Sequence, residues 1–311
     1  MPKKVLIDCD PGIDDALALA LAHGSPELDV VGVTTVAGNV GLPHTTNNAL
    51  CLADFYGMDV PIAAGAGRPL VREALTAGDV HGGNGLGGVV LPAATARAID
   101  GHAVDRIVDE LAAAPGEISL VAIGPLTNIA LAVRKEPRIV EWAREFVVMG
   151  GSYTRGNRNP AAEFNVLADP EAAAVAFDAG WRTTMVGLDL TAQARATAEV
   201  RERFGALGRL EAELLSPILD FYAQHRQYRA EGPAVHDACA VAHVLDPGLL
   251  STVPARVDVE THGRFTSGMT VTDFDAPAER CNADVATVLD TEAFWNRVLT
   301  AFERVAAELP E

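Results

Sequence analysis

Four aspartates lie close together near the start of the chain: Asp8, Asp10, Asp14 and Asp15. Asp8 and Asp10 follow a short apolar run, and residues two apart on a strand point to the same face. Asp14 and Asp15 precede an Ala/Leu run that is typical of a helix, whose first turn favours acids. Carboxylates crowded at the end of a buried strand repel one another and are costly to desolvate. A hard cation such as Ca²⁺ or Mg²⁺ would supply the missing positive charge, so the pattern predicts a metal site.

A simpler interpretation gives these acids structural roles only. Asp14 and Asp15 would be ordinary acids of a first helical turn, and Asp8 a buried acid satisfied by hydrogen bonds. That interpretation accounts for one or two of the four aspartates. Because buried charges are generally paired or bound to metals, we favour the metal site for the group as a whole.

A polar loop between residues 150 and 169 combines amides and an acid with an aromatic ring. Amides and carboxylates offer hydrogen-bonding groups in fixed geometry, which suits the binding of hydroxyl groups. Phe164 could stack on a flat ring or on a sugar face. The residues concerned are Asn157, Asn159, Glu163, Phe164 and Asn165. An ordinary polar surface loop is the alternative, and the loop alone does not decide between the two.

His236 and Asp237 open a second Ala-rich segment that is predicted to be helical. In one interpretation Asp237 caps the helix and His236 is its hydrogen-bonded partner. In the other, Asp237 is a metal ligand and His236 a proton donor. The two residues by themselves favour the structural interpretation.

The segments that carry chemistry alternate with predicted strands and helices. Apolar, β-branched runs at 5–7, 29–36 and 60–63 predict strands separated by helices, which indicates a parallel sheet with right-handed crossovers. Further strands are predicted at 118–123, 146–149 and 184–188, with late strands at 251–259 and 264–272 as an antiparallel hairpin. The predicted fold is α/β, an open and mostly parallel Rossmann-like sheet flanked by helices, with a small late antiparallel extension. We expect one domain over residues 1–311.

The polar segments fall at one edge of this predicted sheet. Ligands in an open parallel sheet bind beyond the carboxyl ends of the strands. The aspartate-rich turn, Asn39, the turn at 123–128, the loop after Met149 and the His236-Asp237 pair are all expected there. A long glycine-rich stretch at 65–95 contains His81, and loops of this length are usually functional or mobile.

Composition excludes several classes of protein. The formal net charge is −18 over 311 residues, which argues against nucleic-acid polymers and anionic membranes as partners. The four cysteines are far apart and lack CxxC spacing, so they indicate free thiols in a reducing compartment. Neither a signal segment nor an apolar run of membrane-spanning length is present. We expect a cytoplasmic protein.

Taken together, the motifs resemble those of the inosine-uridine-preferring nucleoside hydrolases. The similarity covers most of the chain in the family's order, and the aspartate cluster is its most specific part. The matching segments are Asp8-Cys9-Asp10-Pro11-Gly12-Ile13-Asp14-Asp15-Ala16, Val36-Ala37-Gly38-Asn39, Gly124-Pro125-Leu126-Thr127-Asn128, Met149-Gly150-Gly151, Ala162-Glu163-Phe164-Asn165 and Val235-His236-Asp237.

The resemblance implies cleavage of the N-glycosidic bond of ribonucleosides at a site that holds one Ca²⁺. Its ligands would be the side chains of Asp10, Asp15 and Asp237 and the backbone carbonyl of Ile123. The family commonly has threonine at the position of Ile123, and because only the carbonyl coordinates, this departure should be tolerated. Asp10 would also take a proton from a Ca²⁺-bound water, which becomes the nucleophile.

The resemblance also assigns residues to the nucleoside. Asp14, Asn39, Asn157, Glu163 and Asn165 would hold the ribose hydroxyls, and Met149 would line the pocket. His236 would be the acid for the departing base, with His81 as a second candidate near the base. The segment 221–228 and the glycine-rich loop would close over the site. Residues that could contact the base are Tyr222, Gln224, His225, Gln227 and Tyr228. Relatives are commonly homotetramers or homodimers.

Two other functions compete with this prediction. A Mg²⁺-dependent phosphoesterase is suggested by Asp8-x-Asp10 after a strand, but an acidic site suits phosphate poorly. A catalytically inactive nucleoside-binding protein would have lost residues that this chain retains. The sequence does not decide between purine and pyrimidine nucleosides.

Overall fold

In a computed structural model, which describes residues 1–225 and 231–309, the chain is organised around one sheet of nine strands. The strands are β1 Lys3–Cys9, β2 Leu28–Thr35, β3 Ile62–Ala64, β4 Ile118–Ala122, β5 Glu145–Met149, β6 Thr183–Val186, β7 Leu250–Val259, β8 Thr270–Asp273 and β9 Ala283–Leu289. Their spatial order is β3-β2-β1-β4-β5-β6-β9-β7-β8. Pairings from β3 through to β9 are parallel, whereas β7 pairs antiparallel with β9 and with β8. The predicted α/β fold with a late antiparallel extension is confirmed.

Helices cover both faces of the sheet. They are α1 Ile13–His23, α2 Leu42–Tyr56, α3 Gly78–His81, α4 Ala103–Ala113, α5 Thr127–Lys135, α6 Ile139–Trp142, α7 Phe164–Ala168, α8 Pro170–Phe177, α9 Leu188–Thr191, α10 Ala198–Phe204, α11 Ser216–Ala223, α12 Asp237–Leu245 and α13 Thr291–Glu308. Side chains alternate along β1, so Val5 and Ile7 join one apolar core and Leu6 joins the other. Within the described ranges, no helix combines the length and apolarity needed to cross a membrane.

Helix α1 is the most enclosed helix around the site. Every residue from Ile13 to Ala22 is buried, and the helix packs against α12 and α13. Its Ala/Leu composition allows neighbouring elements to approach it on several sides. The surrounding core therefore fixes the first turn of α1, which carries Asp14 and Asp15, in position.

The antiparallel end of the sheet differs from the sequence-based expectation in two respects. The strand predicted at 264–272 is confined to β8, because turns precede it: Glu260 Oε1 accepts from the N–H groups of His262 and Gly263, and Gly268 has a φ of +84°. Strand β9 was not predicted. It lies between β6 and β7, so it joins the parallel part of the sheet to the late hairpin.

Candidate active site

The carboxyl ends of the central strands meet at a cavity of about 270 Å³. Asn39 follows β2, Ile123 follows β4 and Met149 ends β5. Open parallel sheets bind ligands at this edge, and the cavity suits a small molecule. The predicted site residues that line it include Asp14, Asn39, His81, Ile123, Met149, Asn157, Glu163, Phe164, Asn165, His236 and Asp237, whereas Asp10, Asp15 and Asn159 do not line it.

Asp10 lies fully buried beneath the cavity. Its Oδ2 accepts a hydrogen bond from the backbone N–H of Asn39 at 2.6 Å. Its Oδ1 is also buried and has no hydrogen-bond partner among residues 1–225 and 231–309. The carboxylate fits between two glycines: a Cβ on Gly38 would overlap Oδ2, and one on Gly124 would lie 2.6 Å from Oδ1. Asp10 is therefore held tightly, with one oxygen left for another ligand.

Asp15 is fixed by the chain around the first turn of α1. Its Oδ1 accepts from the N–H of Asp10 at 3.1 Å, and its Oδ2 accepts from the N–H of Gly12 at 2.8 Å and from Asn39 Nδ2 at 3.2 Å. Reaching back to Gly12 satisfies one of the backbone donors that a helix start leaves without a partner. A carboxyl oxygen of Asp237, at the start of α12, lies within 4.8 Å of an Asp15 oxygen.

Three of the buried acids form a group that could hold a cation. Asp14, Asp15 and Asp237 each offer an oxygen, and these oxygens lie within 4.8 Å of one another. Burial and mutual repulsion raise the pKa of Asp10, Asp14 and Asp237 well above the usual range, and burial raises that of Asp15 to about 6. Among the described residues, only the His81 ring comes within ion-pair distance of this set, at 3.9 Å from Asp14. A divalent cation would stabilise the carboxylates, and the unpartnered Asp10 oxygen fits it as well.

The predicted ligand set and this geometric group overlap but are not identical. Both sets contain Asp15 and Asp237. The predicted set also contains Asp10 and the Ile123 carbonyl, and it does not contain Asp14, which was predicted to bind the ribose hydroxyls. The Ile123 carbonyl accepts from Asn165 Nδ2 at 3.0 Å, and a carbonyl oxygen has a second lone pair for a cation. The assignment of Asp10 and Ile123 as ligands stays a prediction.

Asp8 lies apart from the other acids. Its Oδ1 accepts from Thr34 Oγ1 at 2.5 Å and from Asn128 Nδ2 at 2.8 Å. Burial raises the pKa of Asp8 to about 7. Both hydrogen bonds tie β1 to neighbouring elements, which favours the structural interpretation that the sequence left open. The other oxygen, Oδ2, is buried and has no hydrogen-bond partner within the described residues.

The loop after β5 is braced by its own polar side chains. Glu163 caps α7: its Oε1 accepts from the N–H of Asn165 at 2.8 Å, and its Oε2 accepts from the N–H of Gly151 at 3.0 Å and of Val166 at 3.1 Å. Asn157 Oδ1 accepts from the N–H of Phe164 at 3.0 Å. These bonds hold the carboxylate and amides on the cavity wall in fixed orientations, as the binding of hydroxyl groups requires.

His81 anchors the glycine-rich loop at the cavity. Its Nδ1 accepts from the N–H of Ile13 at 3.1 Å, so the ring proton is on Nε2. Burial lowers the pKa of His81 to about 3, and the ring is therefore neutral near pH 7. Its centroid lies 5.5 Å from the Tyr222 ring. A neutral N–H donor on this wall suits recognition of a base better than proton donation to it.

His236 precedes α12 and lies next to Asp237. Its Nδ1 is 2.7 Å from the hydroxyl of Thr191, which is fully buried. Burial, with the charge of Arg195 as a smaller cause, lowers the pKa of His236 to about 4. A neutral imidazole can donate a hydrogen bond to a departing base, whereas full proton transfer requires the ring to gain a proton first.

The remaining wall includes residues that sequence analysis predicted weakly or missed. Tyr222 and His225 line the cavity as base contacts would, and Gln224 is not among the lining residues. The predicted contacts Gln227 and Tyr228 lie outside the described residues. Two residues were missed: Arg158, which lines the cavity and pairs with Asp79 at 2.8 Å, and Thr191. Thr191 follows the carboxyl end of β6, and that position was the available signal.

Comparison with known proteins gives a consistent result. A family model described as inosine-uridine preferring nucleoside hydrolase matches residues 5–296. The chain is 48% identical to the inosine-uridine preferring nucleoside hydrolase of Crithidia fasciculata, over 98% of this chain and 99% of that protein. It is 40% identical to the pyrimidine-specific ribonucleoside hydrolase RihB of Escherichia coli, over 95% of this chain and 96% of that one. A purine-preferring ribonucleoside hydrolase from Gardnerella vaginalis superimposes with a TM-score of 0.91 at 33% identity, covering 98% and 99% of the two chains.

Proposed function

The chain belongs to the inosine-uridine preferring nucleoside hydrolase family, and we propose on this premise how its site hydrolyses ribonucleosides to ribose and a free base. The observation that carries the proposal is the unpartnered Asp10 oxygen buried beside the acids Asp14, Asp15 and Asp237. Water adds to C1′ of the ribose, the bond from C1′ to the base nitrogen breaks, and the base gains a proton.

Calcium is the ion that we propose for this site. Asp10, Asp15 and Asp237 with the Ile123 carbonyl would hold it, all through oxygen atoms. Ca²⁺ accepts six to eight oxygen ligands in flexible geometry, which suits donors that come from several separate turns of the chain. When bound, the ion supplies positive charge that orients the ribose hydroxyls and makes a nearby water more acidic.

Asp10 is the proposed general base. Its Oδ2 is occupied by the Asn39 N–H, so Oδ1 is the atom that would accept a proton from the attacking water. A Cβ at position 38 or 124 would collide with the carboxylate, so glycine at these two positions leaves it room in this orientation. A base held in this way is preorganised for one direction of attack.

The acids and amides of the wall would hold the ribose. Asp14, Asn39, Asn157, Glu163 and Asn165 would bind its hydroxyls, and Met149 and Phe164 would contact its carbon skeleton. As the glycosidic bond breaks, the sugar gains positive charge. A negative pocket stabilises that charge, and binding energy from the hydroxyls can orient and distort the ring.

Replacing His236 with alanine should harm substrates whose bases leave poorly. General acids typically contribute 10²–10⁴-fold, so we expect kcat for inosine to fall about 100-fold or more. A p-nitrophenyl riboside has an activated leaving group, and its kcat should change less than about threefold. The exposed His44→Ala on α2 is the matched control. Equal losses on both substrates would mean that His236 does not assist the leaving group.

A substrate panel tests the proposed function directly. We propose inosine and uridine as substrates, since the relatives at 48% identity are named for both. Ribose release from inosine, uridine, cytidine and adenosine should be measured with Ca²⁺ present, and kcat/KM compared across bases. Release from none of them, with hydrolysis of phosphate esters instead, would replace the hydrolase with the phosphoesterase. Binding of nucleosides without release would indicate an inactive carrier.

The assembly and compartment also belong to the proposal. We propose a homotetramer or homodimer, to be tested by light scattering of the purified protein. All four cysteines are free thiols, which is consistent with the cytoplasmic location we propose. The single domain over residues 1–311 stays a prediction.

A further inference from the structure

We propose that Thr191 is a positioning residue: its hydroxyl fixes the orientation of the His236 imidazole, so that Nε2 is the nitrogen that serves the departing base. This inference rests on the proposed function and assigns to the reaction a residue outside the cavity lining. It is carried by the 2.7 Å contact between Thr191 Oγ1 and His236 Nδ1, both on buried residues.

Thr191 is itself held firmly. It is the last residue of α9, the short helix that follows β6, and its side chain is completely buried. Its N–H donates to the carbonyl of Gly187 at 3.0 Å. Gln193, two residues on, donates through Nε2 to the carbonyls of Asp189 and Thr287 and so ties this segment to β9. The hydroxyl therefore belongs to a rigid part of the scaffold.

Backbone hydrogen bonds fix the approach of His236 to this segment. The N–H of Val235 donates to the carbonyl of Ala194 at 2.9 Å, and the N–H of Ala196 donates to the carbonyl of Pro233 at 2.8 Å. A Cβ on Gly232 would overlap the Ala196 carbonyl, so glycine is required for the two segments to lie this close. These bonds place the backbone at 236, and the Thr191 hydroxyl then sets the rotation of the ring.

The chemistry of a hydroxyl suits this role. Because Nδ1 is engaged by Thr191, any proton or hydrogen bond given to the base must come from Nε2. A hydroxyl can donate to Nδ1 of a neutral ring or accept from Nδ1–H of a protonated one, so the contact persists in both forms. A carboxylate would favour the protonated ring and weaken it as an acid. Threonine orients the imidazole without that effect.

The chain offers a matched control in Thr183. This threonine is also fully buried, at the amino end of β6, and its hydroxyl has no hydrogen-bond partner in the described part of the chain. Valine has nearly the same shape as threonine and lacks the hydroxyl. Thr183→Val and Thr191→Val therefore make the same chemical change, but only the second removes a bond to His236.

The experiment compares Thr191→Val, Thr191→Ser, Thr183→Val, His236→Ala and the double variant T191V/H236A, each as the full chain loaded with Ca²⁺. For Thr191→Val we expect kcat for inosine to fall about tenfold, with p-nitrophenyl riboside changing less than about twofold, as the loss of one hydrogen bond to the acid predicts. Thr191→Ser should recover most of that loss. In the H236A background the valine should have no further effect.

Two kinetic outcomes would overturn the proposal. Equal losses on both substrates would make Thr191 merely structural, and an undiminished effect in the H236A background would mean that it acts independently of His236. If Thr191→Val proves unstable by melting temperature, Thr191→Ala against Thr191→Ser makes the same comparison.

A second readout does not depend on turnover. The ¹⁵N chemical shifts of the His236 ring should indicate a hydrogen on Nε2 in the wild type and a mixture of tautomers in Thr191→Val. Identical shifts in the two proteins would overturn the inference. A wild type that releases no ribose would instead reject the proposed function, while the ring shifts would still report whether Thr191 orients His236.

Discussion

Replacing Asp10 with asparagine is expected to lower kcat at least about 10³-fold while leaving the fold intact. The N–H of Asn39 needs an acceptor, so the new side chain will keep its oxygen there, 2.6 Å away in the native contact. Its amide nitrogen then replaces the unpartnered carboxylate oxygen. The variant has the shape of the native residue but can neither accept a proton at that atom nor coordinate a cation. Asp10→Ala should abolish turnover.

Steady-state kinetics with inosine and a p-nitrophenyl riboside measure this prediction, and both substrates should lose activity because both need the attacking water. Asp29→Asn, the same change at an exposed position on β2, is the matched control. Asp10→Asn with kcat within tenfold of the wild type would remove Asp10 from its proposed role. Near-native circular dichroism is required of the variant for the comparison to be valid.

Removing the ion with a chelator is expected to abolish activity and to lower the melting temperature. An ion present at 100 times its dissociation constant stabilises a protein by about 2.7 kcal/mol, which corresponds to about 4 °C for a chain of this size. Added Ca²⁺ should restore both activity and melting temperature. Full activity in protein shown by elemental analysis to be metal-free would contradict the metal site.

The loss of stability on chelation should depend on pH in a defined direction. Without the ion, burial and repulsion raise the pKa of Asp14 and Asp237, and burial raises that of Asp15 to about 6. A group whose pKa is raised by folding contributes stability at low pH and loses it as pH rises through the folded-state value. The fall in melting temperature should therefore be larger at pH 8.5 than at pH 5.5. Asp237→Asn, which removes one of the acids, should reduce this difference, and an equal fall at both pH values would contradict it.

The parallel part of the fold was predictable because local sequence specifies it. The runs that became β1 and β2 are apolar and β-branched, and the helix between them is signalled by Ala and Leu. The antiparallel end of the sheet was harder to predict from the sequence. Strand β9 is positioned by β6 and β7, from distant parts of the chain, and residues 264–268 were assigned to a strand although glycines at 263 and 268 permit the turns that form there.

The site residues also divide into those that the sequence predicted and those that it did not. Asp14, Asn39 and Glu163 could be predicted because polar residues that follow successive parallel strands meet at one edge of the sheet. The family resemblance identified His236 and Asp237 as site residues, whereas the two residues by themselves favoured a structural role. Thr191 was missed because its partner His236 is 45 residues away along the chain. The position of Thr191 after the carboxyl end of β6 places it near the site but does not indicate that contact.

Helices α1 and α12 pack side by side, although most of the chain separates them in sequence. During translation, α1 leaves the ribosome long before α12 has been synthesised, and domains complete their folding only when the packing partners are available. The nascent chain thus carries Asp15 without the Asp237 carboxyl that accompanies it in the finished protein. Capture of the ion would be one of the last events of biosynthesis, and a chain terminated early would be released unable to retain it.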